Sequence, residues 1–201
     1  MSRRLSLLCL AGGLSLVAVG CKRFQPLDTK PLDAAGVGYT SIKKLEALKI
    51  TSEEIPEISK MRSAGFSDDS CVSIVEIYHQ RGTPFAAGDV VAGLEKAGAR
   101  EATILELARM DQLGLGAGEL QAMRLAGLSD AIILETAKHQ AAGTPSLSGL
   151  SLGKLKNAGL RESTLLELEQ RGIPDSAADQ ILAMRRHRAT DKEILRKFAG
   201  T

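Results

Sequence analysis

Ser151 sits at the centre of the string Gly149-Leu150-Ser151-Leu152-Gly153, and Asp175, Asp179 and His187 follow it in the chain order of a nucleophile, an acid and a base. A serine between two such glycines is the pattern of a nucleophile elbow, in which a strand runs into a sharp turn and projects the hydroxyl toward an acyl group. That chemistry depends on the strand, and no alternating strand pattern precedes Gly149. The string falls instead on an internal repeat: displaced by 61 residues, Gly149 lies on Gly88 and Ser151 on Val90. A serine whose counterpart is a valine reads as a helix-capping or surface position. No catalytic residue is assigned, and a serine hydrolase using Ser151 is kept as the alternative.

Other residue types with chemical potential are scattered. Gly114, Gly116 and Gly118 lack the preceding strand and the lysine of a phosphate-cradling loop, and read as an inter-helix loop. His79, His139 and His187 have neither the helical spacing nor the paired cysteines of a zinc site, so no metal and no cofactor is expected. His79-Gln80 and His139-Gln140 each precede a glycine-proline turn, which places the imidazoles at helix C-termini, where the helix dipole favours them. Cys71, among Val72, Ile74 and Val75, reads as a small buried hydrophobe. Glu106 and Glu167 recur at equivalent helix positions and are expected to face solvent or neighbouring arginines.

Cys21 carries the most specific chemistry. Arg3-Arg4, an uncharged run from Leu5 to Gly20, and the small residue Gly20 before Cys21 are the marks of an export signal, too short and glycine-punctuated for a comfortable membrane span. Val17-Ala18-Val19-Gly20-Cys21 resembles the lipobox of signal peptidase II substrates, with Ala18 standing where leucine is commoner. The resemblance implies cleavage between Gly20 and Cys21, acylation of Cys21, and a bacterial lipoprotein of the cell envelope. Cys9 cannot substitute, because bulky Leu8 precedes it. Lys22 after the acylated cysteine resembles lipoproteins sent on to the outer membrane, which implies its periplasmic face where the organism has two membranes.

Charge and composition narrow the partners. The chain has 26 Lys+Arg against 24 Asp+Glu, and loss of Arg3 and Arg4 with the signal leaves it formally neutral, so no basic footprint for nucleic acid remains. With Cys9 removed and Cys21 acylated, Cys71 has no partner for an internal disulfide. Aromatic residues make up 3% and tryptophan is absent, which argues against a stacking platform for sugars.

The elements that must position these residues come from a repeat. MRSAGFSD (61–68), MRLAGLSD (123–130) and MRRHRATD (184–191) alternate with LEKAGAREATILEL (94–107) and LKNAGLRESTLLEL (155–168). Aligning Gly65, Gly98, Gly127, Gly159 and Arg188 gives steps of 33, 29, 32 and 29 residues, the size of a two-helix unit. Each unit has an amphipathic segment, an Ala-Gly stop, a polar pair and a second amphipathic segment. The glycines suit left-handed turn positions, Ser67, Ser129, Asp68 and Asp130 are expected to cap the following helices, and glycine-proline turns at 82–84, 143–145 and 172–174 end the second helices. The expected class is all-α, about eleven short helices stacked as tandem hairpins in a small solenoid-like array.

The chain therefore divides into a signal peptide (1–20), the lipidated cysteine with a Pro/Gly-punctuated flexible tether (21–40) and a helical-repeat domain (41–201). His187-Arg188 replace the Ala-Gly pair in the last unit, where a polar cap is expected. MRSAGFSD and MRLAGLSD resemble the first loop of ubiquitin-associated-type folds over a few residues only. The Ala-Gly hairpins are similar to helix-hairpin-helix modules but lack the Gly-hydrophobic-Gly grip on phosphate. Over most of residues 41–201 the pattern is similar to helical-repeat envelope proteins of bacteria, which implies an architecture and supplies no catalytic residues. The function expected is non-enzymatic: a membrane-anchored array binding an envelope protein, with no small-molecule substrate and no nucleic acid, the alternatives being the Ser151 hydrolase and a purely structural spacer.

Overall fold

A computed structural model describes residues 27–113 and 117–199. Gly20 and Cys21, and with them the expected cleavage and lipidation, lie outside the described residues, as do Gly114 and Gly116; Gly118 falls inside a helix.

Among the described residues every regular element is helical. The helices are α1 (Lys30–Ala34), α2 (Tyr39–Ala47), α3 (Glu54–Ala64), α4 (Asp68–Gln80), α5 (Gly88–Lys96) and α6 (Glu101–Arg109). They continue with α7 (Ala117–Leu125), α8 (Asp130–Ala142), α9 (Gly149–Asn157), α10 (Glu162–Gln170), α11 (Ala178–Arg186) and α12 (Asp191–Lys197), a 3₁₀ turn at Asp175–Ala177 preceding α11. The protein is an all-α array of tandem hairpins. Odd-numbered helices stack on odd and even on even, so α3 packs on α1 and α5 while α4 packs on α2 and α6, and the two layers run the length of the array.

The core lies between the layers and is built from the apolar stripes seen in the repeats. Met61, Ile74, Leu94, Ile104, Met123 and Leu165 are fully buried. Each methylene removed from water there contributes about 0.8 kcal/mol, which is why the stripe persists while the polar residues vary. A left-handed residue reverses the chain in each helix connection, at φ +74° for Gly127 and, where the last repeat substitutes arginine, at φ +64° for Arg188.

The array begins earlier than the sequence suggests. Residues 30–38, expected in the tether, form α1 and its turn, with Leu32 and Val37 buried in the core and α1 packed on α3. Pro31 is the reason this piece reads as linker, yet proline is well placed in a first helical turn, where its missing N–H has no partner to lose. The helices expected after residue 41 correspond to α2–α12.

Two glycines set the spacing of the odd layer. A Cβ on Gly88 would lie 2.4 Å from the Glu57 carbonyl oxygen, and one on Gly149 would lie 2.6 Å from Met123 Cγ. Their amides donate to Glu57 Oε2 at 2.9 Å and to Glu119 Oε1 at 2.5 Å. The equivalence of Gly88 and Gly149 is therefore one of packing: each lets a helix start against the side of its predecessor.

Candidate functional site: the serine string and the contacts between repeats

Ser151 lies in the first turn of α9 and is buried. Ser148 is the N-cap, its Oγ accepting from the Ser151 amide at 3.2 Å, and the two hydroxyls are 3.1 Å apart. The acid beside them is Asp175, which accepts from the Ser148 amide at 2.8 Å. A hydrogen bond from the Ser151 hydroxyl holds the Asp175 carboxyl below its ordinary value, with the Ser148 groups adding to the effect and burial opposing it. Asp179 is exposed in the first turn of α11, and His187 is its exposed C-cap residue. Neither is a hydrogen-bond partner of Ser151. The structure thus joins Ser151 to Asp175 across one repeat boundary and does not bring the histidine to them. Gly149, which gives the string its elbow-like appearance, is there because α7 is close.

Most polar side chains at the repeat positions are engaged between units. Arg124, from the end of α7, donates to the Gly98 carbonyl of the preceding unit through Nε at 3.0 Å and Nη2 at 2.7 Å, and to the Leu128 carbonyl of its own turn at 3.1 Å. Its Nη1 is 3.6 Å from Asp130, which in turn accepts from Arg100 Nε at 2.6 Å and Thr103 Oγ1 at 3.0 Å in the preceding unit. Burial pushes the Asp130 carboxyl up, but the hydrogen bonds from Arg100 and Thr103 and the charges of both arginines more than reverse this, leaving it below its ordinary value.

The same clamp recurs on either side. Arg185 holds the Ala158 and Gly159 carbonyls and pairs with Asp191 at 3.1 Å, while Asp191 accepts from Thr164 Oγ1 at 2.7 Å and the Arg161 amide at 3.1 Å. Arg62 donates to the Gly36 carbonyl at 3.1 Å and pairs with Asp68 at 2.8 Å, and Asp68 accepts from the Gly38 amide at 2.7 Å. Asp68 and Asp130, expected to cap their own helices, reach back to the preceding unit instead. Ser67 does cap, accepting from the Ser70 amide at 3.3 Å, but Ser129 makes no side-chain cap.

In the intervening units Lys156 donates to the Gly127 carbonyl and pairs with Glu162 at 2.6 Å, and Glu101 accepts from the amide and hydroxyl of Ser67 at 2.7 and 2.6 Å. At the five turns aligned by the repeat, Gly65, Gly98, Gly127, Gly159 and Arg188, the residue three before is thus Arg62, Arg124, Lys156 or Arg185, with one exception: Glu95 before Gly98. Burial and the Glu101 charge push the Glu95 carboxyl above its ordinary value, and its Oε2 is buried without a hydrogen bond.

On the opposite edge two carboxylates are buried outright. Glu54 accepts from the Phe85 and Thr51 amides at 2.8 Å each and lies 2.6 Å from His79 Nε2, while His79 Nδ1 is 2.9 Å from the Leu48 carbonyl. His79 does occupy the last turn of α4, as the sequence suggests, but its partners are the Leu48 carbonyl at the end of α2 and Glu54 at the start of α3. Glu169, with no exposed surface, accepts from the Leu147 amide at 2.9 Å and meets Thr136 Oγ1 at 3.0 Å. Cys71 is fully buried, and burial pushes its thiol up to about 12. Glu106 pairs with Arg109 at 3.0 Å and Glu167 with Arg171, as their recurrence suggests.

The sequence contains a signal for the clamp that the repeat reading passed over: arginine follows methionine, and aspartate comes six residues later, in all three of the strings at 61, 123 and 184. A groove of about 650 Å³ crosses the side of the odd layer, with Pro31 and Ala34 of α1, Ser59 and Ser63 of α3, and Ala92 and Lys96 of α5 among its walls.

No family model, curated protein or solved structure matches the chain.

Proposed function

We propose that the chain is a lipid-anchored, non-enzymatic envelope protein that presents one face of its helical array to a protein partner. The observation that supports this is the division of labour among its polar residues. Arginines and acids at the repeat positions are tied to the neighbouring unit, which stiffens the stack, while the groove across α1, α3 and α5 is left open on its side. A stack of hairpins whose surface is continuous across units suits recognition of an extended partner. The hydroxyl of Ser151 is tied to Asp175 and Ser148 in the same manner as the other repeat contacts.

Acylated Cys21 would hold the array to the membrane; no helix among the described residues is long and apolar enough to cross one. Only eight residues lie between Cys21 and the first residue of α1, a reach of at most about 30 Å, so the first hairpins and their groove would stay near the membrane surface.

Photo-crosslinking in cells tests the reading, with the crosslinker placed at Ser63 in the groove. A specific envelope protein recovered from Ser63 supports it. A chain that captures no defined partner from this position or from any other exposed face favours the spacer instead.

A further inference from the structure

Glu54, at the start of α3, and Glu169, at the end of α10, make the same kind of contact with a connection between hairpins, and only Glu54 has a basic side chain against it. Each is buried, and each accepts the amide of the first core residue after a glycine-proline turn, Phe85 for Glu54 and Leu147 for Glu169. His79 lies against Glu54 at 2.6 Å. No lysine, arginine or histidine among the described residues lies within ion-pair distance of Glu169.

We propose that Glu169 is a proton-sensitive latch between the fourth and fifth hairpins: uncharged, it holds the α8–α9 connection against α10, and ionised, it loosens that joint. Burial without a neighbouring cation disfavours the charge. Oε1 accepts from the Leu147 N–H and Oε2 from the Thr136 hydroxyl, which can turn to accept instead when Oε2 carries the proton, so both carboxyl oxygens keep a partner in the uncharged acid.

The surroundings oppose the ionised form. From α8, Glu135 faces the site, its charge shared with Lys138 at 3.0 Å and with His139, whose Nε2 is 3.9 Å away and whose Nδ1 is held by Thr144 Oγ1 at 2.7 Å. From the turn before α11 comes Asp175, attended by Lys154 of α9. On α10 itself, Arg171 is committed to Glu167 and to the Leu195 carbonyl of α12, and Glu162 to Lys156 of α9. The remaining contact with α12 runs through Asp191, held by Thr164 and Arg185. Burial pushes the Glu169 carboxyl up to about 7, and Glu135 and Asp175 reinforce the shift against the two hydrogen bonds. In an opened joint the carboxyl would be hydrated and ordinary. Opening therefore becomes easier as pH rises through neutrality, and the stiffness of the array between α8 and α10 follows.

Hydrogen exchange at the Leu147 amide of the full chain in detergent, corrected for intrinsic base catalysis, reads the latch directly. With 4.5 for the open and about 7 for the closed carboxyl, opening should increase about ten-fold between pH 6 and pH 8. Glu169→Gln should abolish the increase, and His139→Asn should retain it. A flat wild-type profile, an unchanged profile in Glu169→Gln, or loss of the response in His139→Asn each overturns the proposal. Should Glu169→Gln fail to fold, the carboxyl carbon resonance of Glu169 in the wild-type chain decides: a midpoint near 7 supports the latch, and one near 4.5 removes it.

Discussion

Arg124 binds the Gly98 carbonyl oxygen with two nitrogens, 26 residues upstream and one repeat away. That oxygen belongs to a helix end, where the last carbonyls have no intrahelical donor, so the guanidinium completes a terminus that glycine alone leaves open. The arginine also faces a carboxylate, Asp130, that is almost wholly buried. Truncating Arg124 to alanine would leave both acceptors undersatisfied. Hydrogen bonds involving charged groups are worth about 1.5–3 kcal/mol each net, discounted here because the guanidinium is partly exposed and Arg100 still serves Asp130. Arg124→Ala should therefore destabilise by about 2 kcal/mol in urea melts, and Arg109→Ala, whose exposed pair is with Glu106, by well under 1 kcal/mol.

Glu95 occupies the one place in this column where a cation is missing, and its carboxylate faces Glu101. Glu95→Lys reproduces the arrangement of Lys156, which reaches the turn carbonyl of the unit before it and pairs with Glu162. The substitution should raise stability by about 0.5–2 kcal/mol, within the range of surface-charge optimisation. Thermal melts check it; a lowered midpoint would mean that the Gly65 carbonyl is not within reach from this helix.

How much of this was legible in the sequence follows from the range of each interaction. Glycine at 65, 98, 127 and 159 reports a purely local requirement, a left-handed turn, and the sequence shows it directly. The helices and the apolar stripes are equally local. Asp130 reads as a cap of α8 because its side chain has two outlets, the first turn of α8 and the preceding unit, and only the fold brings Arg100 and Thr103 within reach. α1 reads as tether for the opposite reason: five residues beginning Lys-Pro carry too little periodicity to declare a helix, and Leu32 is buried in a helix that packs on α3. Ser151 reads from the repeat as a helix-capping or surface serine; it is instead buried in the first turn of α9 with Ser148 as the cap, and its bond to Asp175 crosses a boundary that spacing does not reveal.

Left-handed turn positions should separate glycine from every branched residue. Gly127→Val forces a Cβ-branched side chain into φ +74° and should cost about 1–3 kcal/mol. Arg188→Gly is the mirror experiment, relieving the same conformation at φ +64°, and should stabilise by about 1 kcal/mol. Gly149→Ala tests the other role of glycine, because its new methyl would lie 2.6 Å from Met123 Cγ, and the Met123 and Glu119 side chains or α9 itself must shift to admit it. Ser151→Ala removes one hydrogen bond to Asp175 and should cost about 1 kcal/mol or less. Unfolding midpoints of these variants would rank them, and an unaffected Gly127→Val would contradict the turn assignment.

Cys21→Ser should leave the chain unacylated. A single myristoyl-length chain binds membranes only marginally, about 10⁴ M⁻¹, so the anchor expected here rests on several acyl chains added at one sulfur and amine. Mass spectrometry of the membrane fraction distinguishes the outcomes: an acylated Cys21 peptide supports the anchor, and an unmodified Cys21 in a membrane-bound wild-type chain with residues 1–20 intact removes it.

Stability should pass through a maximum with pH, and two sets of carboxyls set its limbs. Glu54, Glu101, Asp130 and Asp191 have folded values below their ordinary ones, each against the opposing effect of burial. Their stabilisation is present above the ordinary carboxyl range and disappears as pH falls through the lowered values. Glu169 has the opposite sign. Raised from 4.5 to about 7, its contribution is complete below 4.5 and is lost as pH climbs through 7. A shift of that size corresponds to about 3 kcal/mol between the two limits. Glu169→Gln, which keeps an acceptor for Leu147 and carries no charge, should therefore flatten the alkaline limb and leave the acid limb untouched. Urea melts from pH 4 to 9 on both proteins test this, and an alkaline limb that survives in Glu169→Gln would have to come from another group.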